Sequence, residues 1–256
     1  MKILLLILIL SHGALVTCNL GAHENERTSG EKPQRKSSVM GTEVQVVLFN
    51  RRTYQERVLP AYKLFLDKGN HTSLIELLRE CIQKLDANPR LAEELLWNRE
   101  IIEDDIGILT GTVYYSPDGS RSNRDKNGEG DRIKREYARE VLASNILQVL
   151  CVPREKSLNP AQDMTNSPLV HYLYSRSKWI KDILTFARPV HGKSLELALG
   201  ESSETFSKQD VQAFTAELDK MPKPQDPDLR KEFDKLYALL RAAVEDPDLT
   251  LVLSIT

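Results

Sequence analysis

The stretch DPDLRKEFDKLYALLRAAVEDPDLTLVLSIT, residues 226–256, joins a helix signal to a strand signal and decides the fold. Asp226 before Pro227 is a helix start, because a carboxylate can accept from free N–H groups and proline's fixed φ suits the first turn. The leucine-rich and β-branched run at 249–255 predicts a buried strand, so we expect the carboxyl-terminal residues in the core. Apolar side chains recur at steps of three and four on one face of the predicted helix, namely at Leu229, Phe233, Leu236, Leu240 and Val244.

A second β-branched run, at residues 43–49, predicts the first strand of the fold. We expect it to lie in the same sheet as the strand at 249–255. Helical signals dominate the chain between the two runs, and the predicted strands are separated by uneven numbers of helices. The fold class predicted is therefore α+β, a helix-rich single domain around a small mixed β-sheet.

Cap residues and apolar periodicity predict the elements between these two strands. Helices are predicted at 53–67, 73–87, 90–103, 133–144, 167–187 and 207–221. Further strands are predicted at 106–115 and 193–199. Residues 146–152 fit a continuing helix or a third strand, because a short apolar run has no decisive period.

The composition excludes some classes of function. A formal net charge of −2 over 256 residues gives no basic face of the kind that nucleic acids need, so we expect no nucleic-acid partner. Aromatic residues make up only 6% of the chain, which does not favour a stacking platform for bases or sugars.

The amino terminus carries a delivery signal. Lys2, the apolar run at 3–10 and the small and polar residues up to Cys18 predict a secretory signal peptide over residues 1–18. The apolar run is far shorter than the roughly 20 residues that a spanning helix needs. We expect a secreted or membrane-anchored extracytoplasmic protein. The alternative is a cytoplasmic protein in which the leader is incidental.

Residues 19–39 are polar and lack apolar periodicity, which predicts a flexible tether leading to a single domain at 40–256.

Leu15-Val16-Thr17-Cys18 resembles the lipobox of bacterial lipoproteins, in which the cysteine is lipidated. Thr17 departs from that pattern, because a small Gly, Ala or Ser usually stands there. A lipid on Cys18 is the one membrane attachment that the sequence suggests, and a simple secreted protein is the alternative.

Two cysteines lie in the predicted domain, and Asn70-His71-Thr72 forms a glycosylation sequon that matters only on a eukaryotic secretory route. Cys81 and Cys151 each lie among apolar residues, which favours buried free thiols. A disulfide between them is the alternative in an oxidising compartment.

One polar loop suggests a metal. Asn123, Asp125, Asn127 and Asp131 place oxygen donors at spacings that resemble the calcium loop of EF-hand proteins, with glycine at the sixth position. The resemblance covers nine residues, and Lys134 stands where that family has a bidentate glutamate. The alternative, a solvated loop without any cofactor, is the simpler interpretation.

His171, Tyr174 and Arg176 form the densest group of functional side chains in the sequence. The periodicity places Arg176 on an apolar helical stripe, where a guanidinium needs a partner, and the acidic segment at 103–105 could supply one. Anion binding by Arg176 and acid–base work by His171 and Tyr174 are the functional interpretations. A structural ion pair and a surface histidine are the alternatives.

We find no zinc spacing, phosphate loop, dinucleotide fingerprint or catalytic triad in the sequence. The leading interpretation is thus an exported binding or interaction domain for an unidentified protein or small ligand. The rival interpretation is a hydrolase or transferase with a polar site around His171, Tyr174 and Arg176.

Overall fold

The computed structural model describes residues 44–115, 121–122, 130–154, 161–165, 167–185, 192, 194–197 and 202–255. The fold is α+β, a helix-rich single domain built around a small sheet, as predicted. In the described ranges, no helix is both long enough and apolar enough to span a membrane.

Six strands are described: β1 (Val44–Asn50), β2 (Tyr114–Tyr115), β3 (Arg121–Ser122), β4 (Ala161–Asp163), β5 (Ser202–Thr205) and β6 (Leu249–Ile255). Helix α1 comprises Arg51–Thr53, a π-helical turn Tyr54–Val58, and Leu59–Lys68. Helix α5 likewise comprises Gly130–Tyr137, a π-helical turn Ala138–Leu142, and Ala143–Leu150. The other helices are α2 (Thr72–Ala87), α3 (Pro89–Leu95), α4 (Arg99–Thr110), α6 (Pro168–Tyr174), α7 (Lys178–Leu184), α8 (Lys208–Asp219) and α9 (Pro227–Glu245).

The main sheet has the order β4-β1-β6-β5, and β2 pairs with β3 in a separate hairpin. Strands β1 and β6 are neighbours at the centre, with Val44 opposite Ile255 and Asn50 opposite Leu249. The prediction that the first and last strands share a sheet is therefore confirmed. The described pairings are all antiparallel, so the predicted mixture of parallel and antiparallel strands was wrong.

The sheet lies between two layers of helices, because successive side chains of a strand point to opposite faces. Val47, Phe49 and Val252 belong to the first hydrophobic cluster, together with helices α1 to α5, which form the first helical layer. Val46 and Leu251 belong to a second cluster with helices α6 to α9. Both faces of the central strands are buried, which explains why these strands are continuous apolar runs although the sheet is antiparallel.

Several helix starts follow the capping chemistry that the sequence predicts. Asp226 accepts from Leu229 N–H at 2.8 Å at the start of α9. Ser207 accepts from Asp210 N–H at 3.1 Å, while the Asp210 carboxylate accepts from Ser207 N–H at 3.2 Å, forming a capping box. Local hydrogen bonding therefore fixes both boundaries.

The start of α1 differs from the prediction. Asn50, not Thr53, caps the helix by accepting from Thr53 N–H at 2.8 Å, so Pro60 lies well inside the helix. A proline there would clash with the carbonyl four residues earlier. The π-helical turn at Tyr54–Val58 directly precedes it, with Leu59 N–H donating to Tyr54 O, and accommodates the ring in a continuous helix.

The predicted strand at 106–115 was wrong over most of its length, because α4 continues to Thr110. Gly111, at φ 75°, ends the helix in the left-handed conformation that glycine adopts without a steric cost. Gly107 lets the chain fold back on α4, since a Cβ there would lie 2.5 Å from Val113 Cγ2. Only Tyr114 and Tyr115 are extended as β2.

The predicted helix at 167–187 is two helices, because Ser177 starts α7 by accepting from Ile180 N–H at 3.2 Å. The predicted helix at 90–103 is likewise divided between α3 and α4. Residues 146–152, for which the sequence left two alternatives, continue α5 to Leu150.

The predicted strand at 193–199 was wrong for its described residues, 194–197. They form an isolated antiparallel bridge between Ser194 and Glu204, and Leu195 N–H donates to Ser203 O. The strand that joins the sheet here is β5, at Ser202–Thr205.

Candidate functional site

The predicted polar site around His171, Tyr174 and Arg176 lies at the carboxyl end of α6 and in the turn before α7. His171 is exposed, and Tyr174 is half-buried against the second hydrophobic cluster. Burial raises the pKa of the Tyr174 hydroxyl above its usual value. A catalytic role for these three residues stays a prediction.

Arg176 is not on a buried stripe, and that structural expectation was wrong. The guanidinium lies over the Tyr172 ring, 3.7 Å from its centroid, and is exposed. It donates to Tyr172 O at 3.2 Å and to Ser175 Oγ at 2.8 Å. The break at Ser177 removes the continuous helix that the stripe required. Arg176 therefore binds the carboxyl end of α6, where a cation is favourable.

The acidic segment at 103–105 makes other contacts. Glu103 pairs with Arg99 at 3.6 Å, and Asp105 is buried in the other helical layer. Arg176 contacts Tyr172 and Ser175 instead of this segment, so the expected ion pair does not form.

The calcium hypothesis stays a prediction. Asn123, Asp125 and Asn127 lie outside the described residues, and Asp131 lies in the first turn of α5. Among the described residues there is no group of three or more His, Cys, Asp or Glu side chains that could hold a metal ion.

Cys81 and Cys151 are buried free thiols, which agrees with the favoured interpretation of the sequence. Burial raises the pKa of the Cys81 thiol far above its usual value and that of Cys151 to about 12. Because the thiolate is the reactive form, neither cysteine is suited to nucleophilic chemistry.

A buried polar cluster in the first helical layer was missed by the sequence interpretation. Asp105 is 2% exposed and accepts from Trp97 Nε1 at 2.9 Å and from the Tyr137 hydroxyl. The sequence held a signal, since Asp105 is three residues after Ile102 and four before Leu109 on the buried face of α4. A carboxylate on such a face predicts buried donors nearby.

The Tyr62 hydroxyl is buried near this cluster and makes no hydrogen bond to the described part of the chain. Burial raises its pKa well above the usual value, and the neighbouring Cys81 and Asp105 groups raise it further. The hydroxyl therefore stays protonated, and the cluster has one donor more than it uses.

Asp105 should make the protein less stable as the pH rises. Burial raises the pKa of Asp105 to about 6, and the hydrogen bonds from Tyr137 and Trp97 limit the rise. The unfolded chain releases this proton near pH 4. The stability from neutral Asp105 is therefore complete below pH 4 and is lost between about pH 4 and 6, on the order of 3 kcal/mol.

Urea unfolding from pH 4 to pH 7 of the native protein and of Asp105→Asn measures this effect as the difference between two profiles. The difference removes the contributions of the other carboxylates. If the free energies of unfolding of the two proteins changed in parallel with pH, the assignment of this effect to Asp105 would be contradicted.

The turn between α3 and α4 exposes two large apolar side chains. Leu96 is 60% exposed and Ile101 is 41% exposed, and they are the large apolar residues of the described chain that face solvent in this way. We call them the corner surface. Leu96 has φ 51°, a left-handed conformation that costs a branched side chain about 1–2 kcal/mol.

The corner surface is held rigidly by its neighbours. Leu96 N–H donates to Glu93 O and Trp97 N–H donates to Ala92 O, a helix ending in which glycine usually takes the left-handed position. Asn98 then starts α4 by accepting from Ile101 N–H at 3.1 Å. The Trp97 side chain is buried and bound to Asp105, so both sides of the turn are fixed.

In the first helical layer, the groups with a raised pKa are buried, namely Asp105, Tyr62 and the two cysteines. The exposed groups of α6 instead face solvent or form hydrogen bonds with neighbouring residues. The corner surface is both exposed and preorganised, which is what a binding contact requires.

Comparison with protein-family models, curated proteins and solved structures finds no match for this chain.

Proposed function

We propose that this protein is an exported binding domain, and that its corner surface contacts a protein partner. The observation that carries the proposal is the exposed, strained Leu96. A glycine there would relieve the strain, and a polar residue would avoid an exposed apolar surface. Leucine has both costs, which is understandable if its side chain is buried in a complex.

The leader supports the first half of the proposal. A signal peptide at 1–18 and a polar tether at 19–39 suit a domain that meets its partner outside the cytoplasm, either free or attached through a lipid on Cys18. Protein sequencing of the mature amino terminus from native material tests this half. An intact Met1 would contradict a cleaved signal peptide, and a blocked, lipidated Cys18 would establish attachment.

Leu96→Gly should separate function from stability. The variant relieves the left-handed strain, which stabilises the fold, and adds backbone freedom to the unfolded chain, which destabilises it. The free energy of unfolding should therefore rise slightly, by no more than about 1 kcal/mol. Leu96→Val should instead destabilise by about 1 kcal/mol or more, because a β-branched side chain is worse in this conformation. Urea unfolding measures both changes in stability, as shifts of the unfolding midpoint while the dependence of the free energy of unfolding on urea concentration stays the same.

Photo-crosslinking in the native host measures the contact itself. A benzophenone amino acid at Ile101 keeps the corner surface apolar and should give a discrete adduct. The adduct should disappear in the Leu96→Gly background, while the same probe at Gln212, exposed on α8, should give none. Equal adducts at 101 and 212, or an adduct indifferent to Leu96→Gly, would contradict the proposal.

A further inference from the structure

The corner surface lies in the most acidic part of the described chain. Residues 86–105 hold seven carboxylates and two arginines, a formal charge of −5, although the whole chain carries only −2. The segment covers the end of α2, all of α3 and the first half of α4. The charge is therefore concentrated around one turn.

The two arginines of this segment are already paired. Arg90 Nε lies 3.1 Å from Glu94 Oε1. Arg99 pairs with Asp86 and lies 3.6 Å from Glu103. Each of these exposed arginines therefore has a carboxylate of the same segment as its partner, and five carboxylate charges of the segment remain in excess.

Two carboxylates near the two apolar side chains have no ion pair among the described residues, whereas Glu94 pairs with Arg90 and Arg154. Glu93 is three residues before Leu96, and Glu100 directly precedes Ile101. Both are exposed, and neither has an ion pair within the described residues. The corner surface thus has two exposed apolar side chains with two unpaired carboxylates close to them in the described sequence.

We infer that the partner of the corner surface is a basic, amphipathic protein segment, with apolar side chains lying between lysines or arginines. This inference rests on the proposed function. Its apolar side chains would cover Leu96 and Ile101, while its cations would meet Glu93 and Glu100. Charge complementarity of this kind fixes partner choice and the rate of encounter.

The same charges disfavour other occupants of the surface. An anionic lipid surface or a nucleic acid would be repelled by the segment at 86–105. A second copy packed corner to corner would bring two such segments together, and like charges across an interface cost several kcal/mol. A cationic protein segment is the occupant that both the apolar side chains and the carboxylates favour.

The test uses the full mature protein and a fluorescent helical peptide of leucine and lysine, with a matched peptide in which glutamate replaces lysine. Fluorescence polarisation should show binding of the lysine peptide and none of the glutamate peptide. Glu93→Gln with Glu100→Gln should weaken binding about tenfold, as expected for two partly screened charges. Salt at about 0.5 M should weaken it similarly.

A matched control removes two carboxylates from the other helical layer, Asp182→Asn with Asp228→Asn, and should change binding less than about twofold. Binding lost in Leu96→Gly but indifferent to Glu93→Gln with Glu100→Gln would overturn the basic partner and leave the proposed function intact. Tight binding of the glutamate peptide would do the same.

Lysine-peptide binding indifferent to Leu96→Gly would overturn this use of the corner surface. Sedimentation supplies the last outcome, since a dimer broken by Leu96→Gly would make a second copy the occupant and overturn the basic partner.

Discussion

Deletion of residues 249–256 should leave a chain without a cooperative unfolding transition. The deletion removes β6, one of the two central strands, and leaves β1 and β5 without their shared neighbour. Leu251, Val252 and Leu253 are at most 1% exposed, and burying each such side chain contributes about 1.5–3 kcal/mol. With the lost ladder hydrogen bonds, the total is comparable with the whole stability of a typical domain, about 5–15 kcal/mol.

Circular dichroism and urea titration measure this outcome. Helical signal without near-ultraviolet signal, and a broad transition, are expected for the truncated chain. Leu253→Ala is the graded control, since it should cost about 2–5 kcal/mol and keep a single sharp transition. A soluble truncated chain that melts sharply would show that the last strand is dispensable.

Trp97→Ala should be the most destabilising single substitution in the first helical layer. Trp97 is 1% exposed, and truncating a buried tryptophan costs about 3–5 kcal/mol. The substitution also removes the 2.9 Å donor to Asp105, and a buried acceptor left unsatisfied costs about 1–3 kcal/mol more. Urea unfolding followed by far-ultraviolet circular dichroism measures the loss without relying on tryptophan fluorescence.

Two further variants separate packing from hydrogen bonding. Trp97→Phe keeps most of the buried ring but loses the donor, and Tyr137→Phe loses the other donor to Asp105. Each donor holds the pKa of Asp105 down, so both substitutions should raise this pKa. The stability contributed by neutral Asp105 should then persist to higher pH. A Trp97→Ala cost below about 1 kcal/mol would contradict a buried, hydrogen-bonded tryptophan.

The parts of the fold that could be predicted are those in which local signals agree with the final packing. The runs at 43–49 and 249–255 are apolar because both faces of β1 and β6 are buried, so they read as strands in isolation. Asp226 and Ser207 start helices through side-chain oxygens within three residues, which the sequence displays directly.

The parts that could not be predicted depend on contacts distant in sequence or on unusual backbone. The run from Ile106 to Tyr115 was predicted as a strand, yet α4 continues to Thr110 because Ile102 and Leu109 on its buried face pack in the first hydrophobic cluster. Leu96 stands where glycine would mark a helix end, so the end of α3 had no visible signal, and Asn98 alone marked the start of α4. The prediction for Arg176 was wrong for a related reason. The hydroxyl of Ser177 starts a new helix and so divides the one that was expected to carry Arg176.

The candidate site was hardest to predict, because exposure is a property of the folded chain. Leu96 and Ile101 look like core residues in the sequence, as most leucines and isoleucines are. Asp105 looks like one of three solvated acids, and only the donors on α5 and in the turn before α4 distinguish it from Glu103 and Asp104.

The adjacency of β1 and β6 also governs when the protein can fold. Some two hundred residues separate Val44 from its partner Ile255, so the ribosome must release the chain as far as Ile255 before the central ladder can close. Pairing between such distant segments is slow, since a large loop must be closed first. A nascent chain whose central sheet stays open until β6 has emerged can still pass through a narrow translocation pore, a property that suits the export proposed for it.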